Sequence, residues 1–209
     1  RSINKSETAT INFGRSQSDV NAKEIKDLDV SNLILWISSA QLNPKIKINS
    51  INIVGYASPD GIENQNVKLS NERTRTVRTA LISLMKKAKI IGYEDTSSYQ
   101  ILGKGEDFQG FKEQLSISTT ISDSDKSLFL RILDMSKDPA KREAEMLNLG
   151  KSFKKLEEDV FPKIRRAVIT VEYTENGLTD DEIIQATNNN PSILGVEELL
   201  FAAANLTQD

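Results

Sequence analysis

Cysteine and histidine are both absent from the 209-residue sequence. Their absence removes the thiolate and imidazole ligands of ordinary zinc sites. It also removes cysteine and Ser-His-Asp nucleophiles and any histidine acid/base. A carboxylate enzyme remains formally open. Zero cysteine does not separate an oxidising compartment from a reducing one, because a protein without disulfides is compatible with either. No apolar run approaches the ~18 consecutive residues that a membrane-spanning helix needs. The sequence opens at Arg1 with neither an initiator Met nor a signal-peptide pattern, so a mature fragment is expected.

What is present describes an ordinary soluble globular protein, with 38% apolar and 27% charged residues. The length is enough for one good core and a smaller appendage. The net charge of −3 is unremarkable, but its distribution is uneven. Residues 68–89 hold seven basic residues and one acidic one. After Arg166 there is no Lys or Arg, while eight acidic residues follow.

The pattern along the chain is β-α-β-α-β, a helical block, a further strand and two helices. Residues 8–13 alternate, with Ala9, Ile11 and Phe13 on one face of a half-buried strand. A helix over 28–40 carries Leu33, Trp36, Ile37 and Ala40, and Asn43-Pro44 breaks it. Residues 46–54 read as a strand that ends at Tyr56. Its alternation slips by one between Ile48 and Ile51, the mark of a bulge or a loop-to-strand join. Residues 71–89 give the strongest helix, with Val77, Ala80, Leu81, Leu84, Met85 and Ala88 at helical spacing and Ser70 as the expected N-cap. A short strand at 98–102 precedes a helical block over 107–160. In that block Ser122, Asp138-Pro139, Gly150 and Pro162 are read as start and stop signals. Residues 167–173 form another strand and 174–177 a turn. Thr179 and Glu182 form a capping box, and Pro191 and Ser192 precede a last helix at 196–206. Alternating elements favour a helix layer on a mixed sheet, an α+β fold, with a boundary near residue 175.

Residues 55–73 read as a ligand site at the end of a strand. Gly55 and Gly61 are taken as positions of backbone freedom. Asn66 offers a donor and an acceptor. A helix opening near Asn71 would present unpaired N–H groups and a positive dipole end to an anion. Arg73 in that first turn gains nothing from the dipole, so its placement is easier to explain if it grips a carboxylate. The plainer reading stands beside this one: a simple turn, an ordinary cap, and Arg73, Arg75 and Arg78 on a solvated face.

Gly55, Gly61, Asn66, Leu69, Ser70 and Arg73 together resemble, without a gap, the signature of the OmpA-like C-terminal domain family. Residues 164–169 are similar to that family's closing Arg-Arg strand. The likeness covers about residues 7–174, interrupted by the helical block. The resemblance implies a non-enzymatic module that holds envelope components to peptidoglycan, on the periplasmic side of an outer membrane. In that family an Asp meets the ammonium, and an Arg the carboxylate, of stem-peptide diaminopimelate. By the resemblance Arg73 takes the carboxylate, Asn66 supports it, and Arg165 or Arg166 lies nearby. Ser58 stands where the family has Asp, Ala57 where it has Thr, and Gly14 where an acidic or amide residue is common. Asp60, two residues on, is the candidate substitute for the missing carboxylate.

The Ala-Ser-Pro-Asp-Gly turn resembles an envelope branch of the family with a helical insertion. Residues 105–108, 141–144 and 161–166 carry the further likeness. There a helical, TPR-like repeat region follows, and residues 181–205 are similar to its opening; the alternative is a C-terminal cap on the same core. The expected division is therefore 1–174 for the OmpA-like domain and 175–209 for the tail. A second functional reading keeps the fold as a protein-interaction scaffold that has lost or altered wall binding. Nucleic acid is not an expected partner, because only Tyr56 among the aromatics lies within 55–89. No cofactor, metal or catalytic residue is expected.

Overall fold

The computed structural model describes residues 2–206. The sheet has four strands in the order β1 (Ser2–Asn12), β4 (Arg166–Asn176), β2 (Ile46–Ala57) and β3 (Tyr99–Glu106). β4 runs antiparallel to both β1 and β2, while β2 and β3 are parallel. The parallel pair needs a crossover, which is the long helix α3 (Glu63–Lys87). Helices α1 (Ala22–Ile25) and α2 (Leu28–Ala40) connect β1 to β2. The result is the expected α+β architecture.

Alternation decides which face of the sheet is covered. Ile11, Ile53, Ile169 and Val171 point at Val30, Leu33 and Ile37 of α2 and at Val77, Leu81 and Met85 of α3, and all are buried. The intervening strand residues are half-exposed. Trp36 on α2 lies 4.5 Å from the Tyr173 ring. The slip in β2 is a bulge: Ile48 pairs with Tyr173 and Ser50 with Glu172, leaving Asn49 as the extra residue.

Several boundaries differ from the sequence reading. β1 begins at Ser2, because Ser2 through Asn12 all pair with β4. β3 extends to Glu106, with a second irregularity opposite Gly55 to Ala57. The expected turn at 174–177 is mostly strand, since β4 pairs as far as Asn176. The largest difference is α3, which begins at Glu63 and not at Asn71. Ser70 is therefore not a cap. Its hydroxyl donates to the Val67 carbonyl and accepts from the Gly105 amide, tying the helix to β3.

Between β3 and β4 lie α4 (Phe108–Ile117), α5 (Asp123–Met135), α6 (Pro139–Leu147), α7 (Lys151–Lys155) and α8 (Phe161–Ile164). Ser122 and Asp138 cap α5 and α6 as expected, and Gly150 takes a positive φ after α6. Pro162 does not end the block. A π-helical turn at Leu156–Val160 precedes it, and α8 continues to Ile164. A proline lacks the N–H that a continuous α-helix would use, and a widened turn absorbs that loss. Phe111, Phe129, Met146 and Phe161 centre a hydrophobic cluster of their own. α9 (Asp180–Asn189), opened by the Thr179–Glu182 capping box, and α10 (Val196–Leu206) form a third, small cluster around Ile183, Ala186, Leu194 and Ala202. The last three residues of the expected tail lie outside the described ones.

Candidate functional site

Beyond the C-terminal end of β2, four segments converge on a cavity of about 240 Å³. They are the turn at 58–62, the first half of α3, the loop after β1, and Arg165 just before β4. Two glycines let α3 lie close enough to build it. Gly55 and Gly103 are paired across β2 and β3. A Cβ on Gly55 would meet the Ser70 carbonyl oxygen at 2.1 Å, and one on Gly103 would meet the Asn71 nitrogen at 2.6 Å. Gly55 thus serves close approach and not unusual backbone angles. Gly61 does need conformational freedom, with φ of 90°.

Arg73 is fully buried and lines the cavity from well inside α3, so no helix N-terminus stands behind it. Its Nε donates to the Gln17 carbonyl at 2.9 Å, Nη1 to the Tyr56 carbonyl at 2.7 Å and Nη2 to the Gly14 carbonyl at 3.2 Å. The guanidinium also lies 5.0 Å from the Phe13 ring centre. Burial first, and then the Arg165 charge, pull Arg73 down to about 10, with Asp60 acting the other way. It remains a cation at neutral pH. Its donors exceed these three bonds, so N–H groups remain that none of the described residues takes up.

Ser58, Asp60 and Arg165 form one buried cluster. The Ser58 hydroxyl donates to Asp60 Oδ1 and accepts from Arg165 Nε at 3.0 Å. Arg165 Nη2 reaches Asp60 Oδ2 at 3.3 Å, and Arg15 Nε lies 3.6 Å from the same oxygen. Asp60 therefore does bring a carboxylate beside Ser58, but that carboxylate is already matched by cations of the protein. Arg166, next in sequence, is not part of this cluster. It pairs with Asp107 at 2.8 Å and stacks 4.5 Å from the Tyr56 ring centre. Leu69 lines the cavity, half-buried.

Asn66, in the second turn of α3, holds the turn shape by donating to the Ser58 and Asp60 carbonyls at 3.3 and 2.9 Å. It also donates to Glu106 Oε1 at 3.0 Å. The helical block reaches the same place from behind. Glu143 accepts the Gly61 amide at 2.7 Å, and Arg142 pairs with Glu106 at 3.2 Å while stacking 4.4 Å from the Phe108 ring centre. Burial pushes the Glu106 carboxyl up, and Asn66 and Arg142 oppose that shift. Glu106, Arg142 and Glu143 lie in segments that carried the further likeness, and Arg15 had no signal; none of the four could be assigned to the site from the sequence, because their partners lie dozens of residues away.

The cavity is lined by Arg15, Lys68, Arg73 and Arg165 against Asp60 and Glu72, an excess of two positive charges. Fixed guanidinium groups in a partly desolvated setting bind carboxylates through charge-assisted bonds. Among the described residues no group of acidic side chains could hold a metal ion, and no helix is long and apolar enough to cross a membrane.

Residues 12–107 match the OmpA family. No curated protein matches the sequence. Among solved structures, the OmpA-like domain of FopA1 from Francisella tularensis aligns with 14% identity over 81% of this chain and 73% of its own, with a TM-score of 0.42. The peptidoglycan-associated lipoprotein from Burkholderia pseudomallei aligns with 14% identity over 78% of this chain and 89% of its own, with a TM-score of 0.39. The cell wall anchor of the T6SS from Pseudomonas aeruginosa shares 16% identity over 79% of this chain and 80% of its own, with a TM-score of 0.35.

Proposed function

From an OmpA-family domain at residues 12–107, we propose that the protein is a non-enzymatic module of the bacterial cell envelope. In this reading it tethers its carrier to peptidoglycan by gripping a stem-peptide carboxylate in the Arg73 cavity, on the periplasmic side of the outer membrane. Residues 1–174 act as the binding domain, residues 107–160 are an insertion that braces the turn at 58–62, and residues 175–209 are a separate helical tail. One observation carries the reading. A fully buried arginine, fixed by three backbone carbonyls and paired with no carboxylate among the described residues, lines a cavity whose lining carries an excess of positive charge. A buried cation that served folding alone would be expected to have a carboxylate paired with it.

The test is calorimetric titration of the whole chain with a diaminopimelate-type muropeptide and with its Lys-type equivalent. Saturable binding is expected for the first alone. Removing the Arg73 side chain would orphan three carbonyls, so Arg73→Lys is the better variant. It keeps the charge and loses the planar fork, and about a tenfold or greater loss of affinity is expected. Retention of full affinity by a folded Arg73→Lys protein would count against the site. No saturation at millimolar muropeptide by the wild type would sink wall binding. The interaction-scaffold reading would then be preferred, and the commitment of Asp60 to Arg165 favours it.

A further inference from the structure

We infer that the open edge of the sheet at β1 pairs with the same edge of a second copy of this chain, giving a two-fold dimer with one continuous sheet. The inference does not depend on wall binding. β1 is an outer strand, and its eleven residues pair with β4 without an irregularity. The amides of Thr10 and Asn12 point away from β4. Asp29 Oδ2 accepts the first at 2.7 Å and Glu24 Oε2 the second at 2.7 Å. By alternation the backbone groups of Asn4, Ser6 and Thr8 point the same way. Among the described residues nothing bonds to those groups, and all three residues are exposed. Carboxylates from α1 and α2 thus block one end of the edge and leave it open from Asn4 to Thr8. The opposite edge is built differently. β3 shifts register beside Gly55 to Ala57, and Gly105 has a φ of 69°, irregularities of the kind that blunt an edge.

The occupant follows from the charges on the open stretch. Lys5 and Glu7 share the face that continues into the buried Ala9 and Ile11. A lysine on an edge commonly discourages pairing. Here the glutamate two residues on turns that block into a choice of register. An antiparallel copy centred on Ser6 sets Lys5 opposite the partner's Glu7, and Glu7 opposite the partner's Lys5. Asn4 then faces the partner's Thr8, and about six backbone hydrogen bonds form. Centring on Lys5 would oppose two lysines, and centring on Glu7 two glutamates. The order of charges is its own complement, which favours a second copy over an unrelated extended peptide. Lys5 also meets Glu175, and Glu7 accepts from the Tyr173 hydroxyl at 3.3 Å, so both side chains are held beside the edge. A short overlap of polar side chains is a weak interface, with a Kd on the order of 10–500 μM. β1 and β2 both run antiparallel to β4. The two cavities of a dimer therefore lie at opposite ends of the joined sheet.

The experiment is sedimentation velocity of the full chain from about 5 μM to about 1 mM, a range that spans the expected affinity. A reversible dimer is expected, weaker at high salt. A monomer throughout would overturn the proposal. Lys5→Glu and Glu7→Lys each set like charges opposite one another, and each is expected to weaken self-association about tenfold. Mixed in equal amounts, the two variants restore opposite charges at both positions. Their mixed dimer is expected within about threefold of the wild-type affinity. Misfolding of either variant cannot produce that rescue. Unchanged self-association of the single variants, or a mixture that stays monomeric, would count against the paired edge. The register has its own readout. The chain has no cysteine, so Ser6→Cys introduces a single thiol. Opposed residues of a hydrogen-bonded pair have Cα atoms about 5.5 Å apart, within reach of a disulfide. Mild oxidation is expected to link Ser6→Cys chains into dimers and to leave Gln100→Cys, exposed on β3, unlinked. No linkage of Ser6→Cys, or equal linkage of the two variants, would remove the assignment to β1.

Discussion

A single methyl group at Gly55 would lie 2.1 Å from the Ser70 carbonyl oxygen and 2.8 Å from Thr74 Cγ2. The Ser70 contact is helix backbone and the Thr74 side chain is short and buried, so no flexible chain end can move aside. Gly55→Ala is therefore expected to lower stability by about 1–3 kcal/mol, as overpacking does, read as a lower urea midpoint. A neutral effect would mean that α3 rides further from the sheet. The position of Gly55 was legible in the sequence, but its reason was not: spacing marks a glycine without saying whether angle or proximity demands it. Arg73 shows the same limit. It stood out as a cation at a supposed helix start, and it is in fact an interior residue of α3 bonded to three carbonyls of distant segments. Arg165 and Arg166 were indistinguishable as neighbours. Arg165 ends up beside Asp60, and Arg166 opens β4 beside Asp107.

The buried stripe of α3 explains why eight residues of that helix were missed. It runs Asn66, Ser70, Arg73, Thr74, Val77, Leu81, Met85, at unbroken helical spacing. Its C-terminal half packs on the sheet core and is apolar. Its N-terminal half overhangs the cavity and is polar, so a search for apolar periodicity sees only half the helix. The π-helical turn at Leu156–Val160 was hidden for a different reason, as Pro162 looked like a stop. Asp159 in that turn accepts from Ser118 at 2.6 Å, Thr120 at 3.0 Å and Lys163 at 2.7 Å, which pins the α4–α5 loop to it. Lys163 first, then Ser118 and, behind the opposing effect of burial, Thr120 hold the Asp159 carboxyl down at about 2. A depressed carboxyl contributes stability above its unfolded value of 3.8, and that contribution is lost as the pH falls towards about 2. Discounted for partial exposure, the contribution is about 1–2 kcal/mol. Asp159→Asn should remove that part of the acid destabilisation and lie closer to wild type at pH 2 than at pH 6. Urea midpoints at the two pH values, followed by far-UV circular dichroism, measure it. An equal deficit at both would show that the carboxylate charge is not what matters.

At the scale of the molecule, hydrophobic burial falls into three clusters, and they differ in how they are joined. The sheet core and the cluster of α4 to α8 share polar ties around the cavity: Glu143 to Gly61, Arg142 to Glu106, and Arg15 between Glu157 and Asp60. The α9–α10 cluster contributes no residue to the sheet core. Its described side-chain tie to the sheet side is the pair between Lys45 and Glu198, both partly exposed. The loss of basic residues after Arg166, with the two short helices that follow, leads the sequence reading to expect a boundary near residue 175. It could not say how firmly the tail would be held, because that depends on which faces of α9 and α10 meet each other. Ending the chain at Gly177 tests the weak attachment. Lys45 would regain water when its partner leaves, so the lost pair should cost only about 0–1 kcal/mol. Trp36, the sole tryptophan, sits against Tyr173 and reports on the sheet core alone. Its fluorescence in urea should therefore show a nearly unchanged midpoint for the shortened chain. A loss above about 3 kcal/mol by the same probe would mean that the tail and sheet unfold as one cooperative unit. In that case the helices cap the domain, and the alternative of a repeat region opening from it would lose its physical basis.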